Sequence, residues 1–200
     1  MQESKAPVLQ PPGAGLPWWE RLAAKHIVLP REWRRVTWVD SARVFQEEGT
    51  RALAVWDAIP ESRLAERVLI RRFPGIEDSS RYWSAEMTLE HLTIAGTGIR
   101  QVVACLRSGQ VPDRPARIED VKPKGAISPM ESRDEFIRFL ADTAAEEASQ
   151  PPIPRGEGPR FIHPWFGPFD AFQWHYLLGH HQGLHRRQLE AIRDGLRAST

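Results

Sequence analysis

Apolar residues recur three and four positions apart along four stretches of the chain, which is the period of amphipathic helices. In the first, about residues 36–59, Trp38, Ala42, Phe45, Gly49, Ala52, Trp56 and Ile59 fall on one stripe. The second runs over about 81–108, with Ser79 or Ser80 as N-cap and Gly109 as its stop. The third, about 132–149, opens on a capping box of Ser132 and Glu135 and turns Phe136, Phe139 and Leu140 inward. The fourth, about 170–196, would be roughly 40 Å long at about 1.5 Å per residue. Residues 61–78 read equally as a short helix or a strand-like excursion, and no stretch shows convincing strand alternation. These elements predict an all-α fold, a four-helix bundle. The link between the second and third helices is long enough to run the length of the bundle, whereas simple antiparallel neighbours need only about 2–8 residues. That predicts an up-down-down-up order with the second and third helices parallel.

Proline divides the chain. There are 17 prolines and 8 tryptophans. Pro7, Pro11, Pro12, Pro17 and Pro30 lie in a segment with little usable periodicity, so residues 1–34 read as an N-terminal arm, flexible at its tip. Trp18, Trp19 and Trp33 are expected to anchor its later part, because large aromatics seldom stay wholly exposed. Residues 35–200 then form the bundle, punctuated by proline- and glycine-rich loops over 109–129 and 151–168.

Charge and cysteine content narrow the classes of function. Lys and Arg total 27 against 26 for Asp and Glu, a net charge of +1, which speaks against a nucleic-acid binder held by broad electrostatics. No run approaches the ~18 apolar residues of a membrane span, and no apolar leader follows Met1. The single cysteine, Cys105, cannot form an internal disulfide or build a cysteine-based zinc site and reads as a small core residue. A reducing cytoplasmic setting is expected.

The chemistry lies in histidines. On a helical wheel His181 and His185 fall at the centre of the fourth helix's apolar stripe, with Trp174, Leu177, Leu178, Gln188 and Ile192. Gly179, Gly183, Arg186, Glu190 and Asp194 fall opposite, while His175 and His180 fall on the flanks and are discounted as ligands. Imidazoles at i and i+4 can reach one metal ion. On the second helix His91 is the one strongly basic group on an apolar face, and Glu86, Glu90, Thr93, Thr97 and Arg100 turn toward solvent. A single inward histidine most simply reads as a hydrogen-bonded core residue. Three buried without partners would be costly, so the set points to a three-histidine metal site with open positions, the pattern of a catalytic centre.

Other motifs are set aside. The helix segment His181-Gln-Gly-Leu-His185 has Gln182 where a zincin needs its glutamate, and no E-x-x-H pair suggests a di-iron bundle. Phosphate-binding glycine loops and the nucleophile-elbow motif are missing from the sequence. His91 in Met87-Thr-Leu-Glu-His-Leu, followed by His181-x-x-x-His185-Arg-Arg-Gln-Leu189, resembles the DinB/YfiT-like superfamily of metal-binding four-helix bundles. His163-Pro-Trp-Phe-Gly-Pro-Phe and Gln173-Trp174 resemble the lead-in to the last helix in some of its branches. The resemblance covers about residues 36–197. It implies an up-down-down-up bundle, often a homodimer, with His91, His181 and His185 on nickel, zinc or a similar divalent ion, iron and manganese included. It also implies thiol-dependent transferases and isomerases using low-molecular-weight thiols, hydrolase-like members, and members without known activity. Many relatives carry a second histidine directly before the last ligand, where this chain has Leu184.

The expected function is activation of a thiol or water on the metal against a small electrophilic substrate. Gln188 could orient a ligand ring or bind substrate, and His163 could carry a proton, though each also reads as structural. The alternative is a non-catalytic, metal-stabilised or vestigial bundle that acts in dimerisation or partner binding.

Overall fold

The computed structural model describes residues 7–199. The flexible tip expected for the arm falls largely on residues 1–6, outside the described residues. Most of what is described is helical, with two small antiparallel strand pairs.

The arm contains more order than its prolines suggest. Trp18–Ala23 (α1), a π turn over Ala24–Val28 and Leu29–Arg35 (α2) follow one another without a break. Pro30 stands in the first turn of α2, where a missing N–H costs nothing. Trp33 meets Phe169 edge to face at 5.1 Å. Trp18 and Trp19 stay 68 % and 54 % exposed, contrary to the anchoring role expected of them. The anchors are instead Leu16, Leu29 and Glu20, whose carboxylate takes two bonds of 2.7 Å from Arg72 and one of 3.2 Å from Gly75 N–H.

Each long helix begins on a side-chain cap. Trp38–Asp57 (α3) starts at a reciprocal capping box of Thr37 and Asp40. Its predicted stripe is buried from Trp38 to Trp56, with Ala42 partly so. Ala85–Arg107 (α4) is capped by Ser84, not by Ser79 or Ser80. The cause is a short ladder, since Tyr82–Trp83 (β2) pairs with Val68–Leu69 (β1) and keeps the chain extended until Ser84. The strand-like reading of 61–78 therefore holds at β1, after a 3₁₀ turn at Glu61–Arg63. Gly109, at φ +78°, ends α4 as expected, and its N–H donates to the Leu106 carbonyl. Pro129–Ser149 (α5) starts earlier than predicted, because Ser128 and Glu131 form the capping box in place of Ser132 and Glu135. A second ladder, Phe161–His163 (β3) with Gly167–Phe169 (β4), leads into Ala171–Ala198 (α6), capped by Asp170 and Gln173.

The four long helices pack in a ring. α6 lies along α3 and α4, and α5 lies along α4 and α3. From α3 to α5, Trp38 bonds Glu147, Gln46 bonds the Leu140 carbonyl and Asp57 pairs with Arg133. Between α4 and α5, Gly96 lies against Phe139 and Arg100 pairs with Glu146. A Cβ on Gly96 would overlap that ring, so a residue without one is required for the close approach.

Two expectations about helix faces are corrected. Gly179 is buried against the backbone of Ser41 and Phe45, and Arg186 pairs with Glu48, because α3 covers the face of α6 read as outward. Glu86 and Glu90 are buried. Glu90 accepts from the N–H groups of Lys124 and Gly125 at 3.0 and 2.8 Å, because the loop from α4 to α5 folds over that face. The core divides into a central cluster around Phe45, Leu89, Phe136 and Ile192 and an end cluster around Trp38, Phe161 and Trp174. Full burial of each such side chain stabilises by about 1.5–3 kcal/mol.

Candidate metal centre

His91 projects from α4 toward His181 and His185, one turn apart on α6. The Nε2 atom of His91 lies 3.1 Å from Nε2 of each of the other two. One ligand atom from each ring falls within a common 4.8 Å. His91 and His185 are buried and His181 is partly so.

The surrounding hydrogen bonds decide which nitrogens carry protons. His91 Nδ1 lies 2.6 Å from the Val121 carbonyl, which only accepts, so this nitrogen is the donor. Gln188 is fully buried, and its Nε2 donates to the Ser80 carbonyl at 2.7 Å. That turns its Oε1 toward His185 Nδ1 at 2.6 Å, which makes Nδ1 the donor there too. A neutral ring with its proton on Nδ1 presents a bare lone pair at Nε2. His91 and His185 therefore face each other, lone pair to lone pair, at 3.1 Å. Burial pushes the pKa of all three rings well below the usual histidine value, and the repulsion among neighbouring rings adds to this. They are neutral at neutral pH.

This donor set fits a divalent ion. Nitrogens held at about 2.1 Å from one ion stand about 3.0–3.4 Å apart between octahedral and tetrahedral angles, which brackets the observed 3.1 Å. A ring whose outer N–H is fixed by a carbonyl or an amide oxygen is the usual support for a metal-bound histidine.

Other groups complete the surroundings. Trp83, just before the cap of α4, stacks on His185 with ring centres 6.0 Å apart and tilts against His91 at 5.0 Å. Lys122, beside Val121 in the loop, reaches Ser79 and Ser80 Oγ at 2.9 Å each and pairs with buried Glu77. Its Nζ stands 5.3 Å from the Trp83 ring centre. Burial lowers the Lys122 pKa, with Glu77 acting against that. The triad opens onto a cleft of about 760 Å³, walled by the arm, α4, α6 and the loops before α5 and α6. His163 lines this cleft from β3, accepts from Trp165 N–H at 3.2 Å and stacks on Phe166. Burial pushes its pKa down to about 3. Cys105, expected in the core, borders the cleft instead.

The three predicted ligands thus meet at one point, with Gln188 behind the ring of His185. Neither discounted ring joins them: His175 lies with Glu147 near the start of α6, and His180 borders the cleft outside the triad. Sequence reasoning missed the Val121 and Ser80 carbonyls, Trp83 and Lys122. Backbone acceptors leave no residue-type signal, although Lys122 and Trp83 are visible as residues in a loop and beside a cap. Comparison with family models, curated proteins and solved structures returns no match.

Proposed function

We propose that the protein binds one divalent metal ion through His91, His181 and His185 and uses it to activate a water or a thiol against an electrophilic substrate held in the adjoining cleft. The observation that carries this reading is the meeting of Nε2 lone pairs at His91 and His185, each with its Nδ1 proton already committed. A cation among these atoms turns that repulsion into attraction. Nitrogen ligands suit zinc or nickel best, with iron and manganese as lesser candidates.

The ion, when bound, supplies Lewis acidity that brings the pKa of a coordinated water or thiol toward neutrality. The chain's own residues do the rest. Val121 and Gln188 hold the two rings in the ligating tautomer, and Ser80 holds Gln188. Trp83 covers one side of the rings and keeps water from it. His163, neutral with its proton on Nε2, is placed on the cleft wall to donate a hydrogen bond to a bound substrate. An open cleft of about 760 Å³ beside the triad favours this reading over a sealed, purely structural metal site.

The scaffold belongs to the same proposal: an up-down-down-up four-helix bundle. The contacts descend along α5 as they ascend along α3, and they ascend together along α4 and α5. They also ascend together along α3 and α6. This order supports parallel α4 and α5 joined by a loop that runs the length of the bundle and delivers Val121 to the site.

The test is metal content by plasma mass spectrometry on tag-free protein purified without chelator, beside His91→Ala and His181→Ala. About one equivalent per chain in the parent, lost in both variants, is the expected result. A parent that takes up no ion after reconstitution with zinc, nickel, iron or manganese overturns the proposal.

A further inference from the structure

The cleft beside the triad is too large and too apolar to have been shaped by a small polar thiol alone. Its volume of about 760 Å³ sits high in the roughly 300–1,000 Å³ range of sites that enclose whole organic ligands. Leu16, Leu29, Ile99, Val102, Phe166 and Leu177 are among the side chains that line it, drawn from the arm, α2, α4, the β3–β4 turn and α6. Water against such walls forgoes hydrogen bonds, and an apolar body that fills the space releases it.

Charge on the same walls is one-sided. Glu20 is committed to Arg72, and Glu77 to Lys122. Arg114, Arg117 and Arg187 also border the cleft, and among the described residues none of them makes an ion pair. Arg187 stands 5.0 Å over the Phe73 ring, which leaves its N–H groups unspent. The wall's remaining uncommitted carboxylate is Asp120, so three cations face one anion. Arginine N–H groups match the oxygens of a carboxylate or a phosphate.

We infer that the ligand of this cleft is an amphiphile with a long apolar body and a single anionic head, a carboxylate or a phosphate, the body lying along the apolar walls and the head held by Arg114, Arg117 and Arg187. This rests on the proposed function only in making the triad the reactive end of the cleft.

Cys105, the single cysteine, lines the cleft and so reports on its occupancy. The experiment is the rate of Cys105 alkylation by iodoacetamide on the full chain, read by intact mass. Dodecanoate, dodecyl phosphate, decanoate, octanoate and uncharged dodecanol are titrated below their micelle-forming concentrations. The expected result is protection by all of them, with affinity rising about fourfold per added methylene. Dodecanoate or dodecyl phosphate should bind about tenfold more tightly than dodecanol, and the tighter of the two names the head group. Replacing the three arginines by Gln should bring the anions to the level of dodecanol and leave dodecanol unchanged.

No protection, or protection independent of chain length, overturns the apolar part. Equal affinity for dodecanoate, dodecyl phosphate and dodecanol overturns the anionic part. The series is repeated on chelator-stripped parent and on His181→Ala. A preference for the anion that vanishes there places the head on the metal and overturns the arginine assignment. A parent that binds no metal but keeps the chain-length and charge preferences refutes the proposed function alone, so the two failures are distinguishable.

Discussion

Helix α6 buries a histidine near its start and two near its middle, and the two regions solve the same problem in opposite ways. At the first, His175 Nε2 lies 3.0 Å from Glu147 Oε1, whose second oxygen accepts from Trp38 Nε1 at 2.6 Å. Its ring stacks on Trp38 with centres 3.8 Å apart, and the Arg107 guanidinium lies over the same indole at 5.0 Å. Three helices are tied together there, and the space left beside the ring is about 10 Å³, room for a water at most. At the second, His181 and His185 meet His91 with no carboxylate among them, their Nε2 atoms aimed at one another and a large cleft alongside. A buried histidine with an acid partner is a structural joint. Histidines whose Nε2 atoms meet only other rings, with Nδ1 held from behind, leave a place for a cation.

The comparison breaks most directly through the ligands. His185→Ala is expected to abolish stoichiometric metal binding while the helical circular dichroism signal stays. Metal retained at parental level would show that the triad is packing only. His175→Ala should do the reverse. It costs about 2–4 kcal/mol, from the lost ring and the stranded carboxylate, and leaves metal content unchanged. Denaturant unfolding of apo-protein with a parallel metal assay checks both halves.

A subtler change tests the tautomer argument. Gln188→Leu keeps the volume but frees His185 Nδ1 and strands the Ser80 carbonyl, so metal affinity should fall about 10–100-fold. Competition with a chromophoric chelator measures this, and unchanged affinity would remove Gln188 from the site.

The remaining test concerns pH. His163 titrates at about 3 in the folded chain and near 6.5 when unfolded. Below pH 6.5 the unfolded chain therefore binds the extra proton, and the stability this ring confers is present above that value and drains away as pH falls toward 3. In His163→Gln the apo-protein should lose less stability between pH 6.5 and 4 than the parent, read from urea midpoints. An identical pH slope in the two would show that the ring is more solvated than its place on the cleft wall implies.

The positions of His91, His181 and His185 were legible because helical period is local. With about 3.6 residues per turn, a stripe of apolar neighbours says which side chains point inward before any tertiary contact exists. The same logic fixed the inner faces of α3 and α5 and the stop of α4 at Gly109. It failed where a second layer covers a face. Gly179 and Glu90 read as outward because a wheel of one helix carries no information about α3 or about the loop beyond α4. It failed again where a cap competes with a ladder, as at Ser80 and Ser84. The arm's helices were hidden by prolines that α2 tolerates in its first turn.

What the sequence determined by itself is the period of each long helix and the three imidazoles on inward faces. What only the tertiary structure decided is their meeting, their tautomers and the room beside them. Those depend on the Val121 and Ser80 carbonyls, on a loop that runs over α4 and on an arm laid along the cleft. Contacts between segments far apart in the chain are set by how whole faces pack, and no local period encodes them.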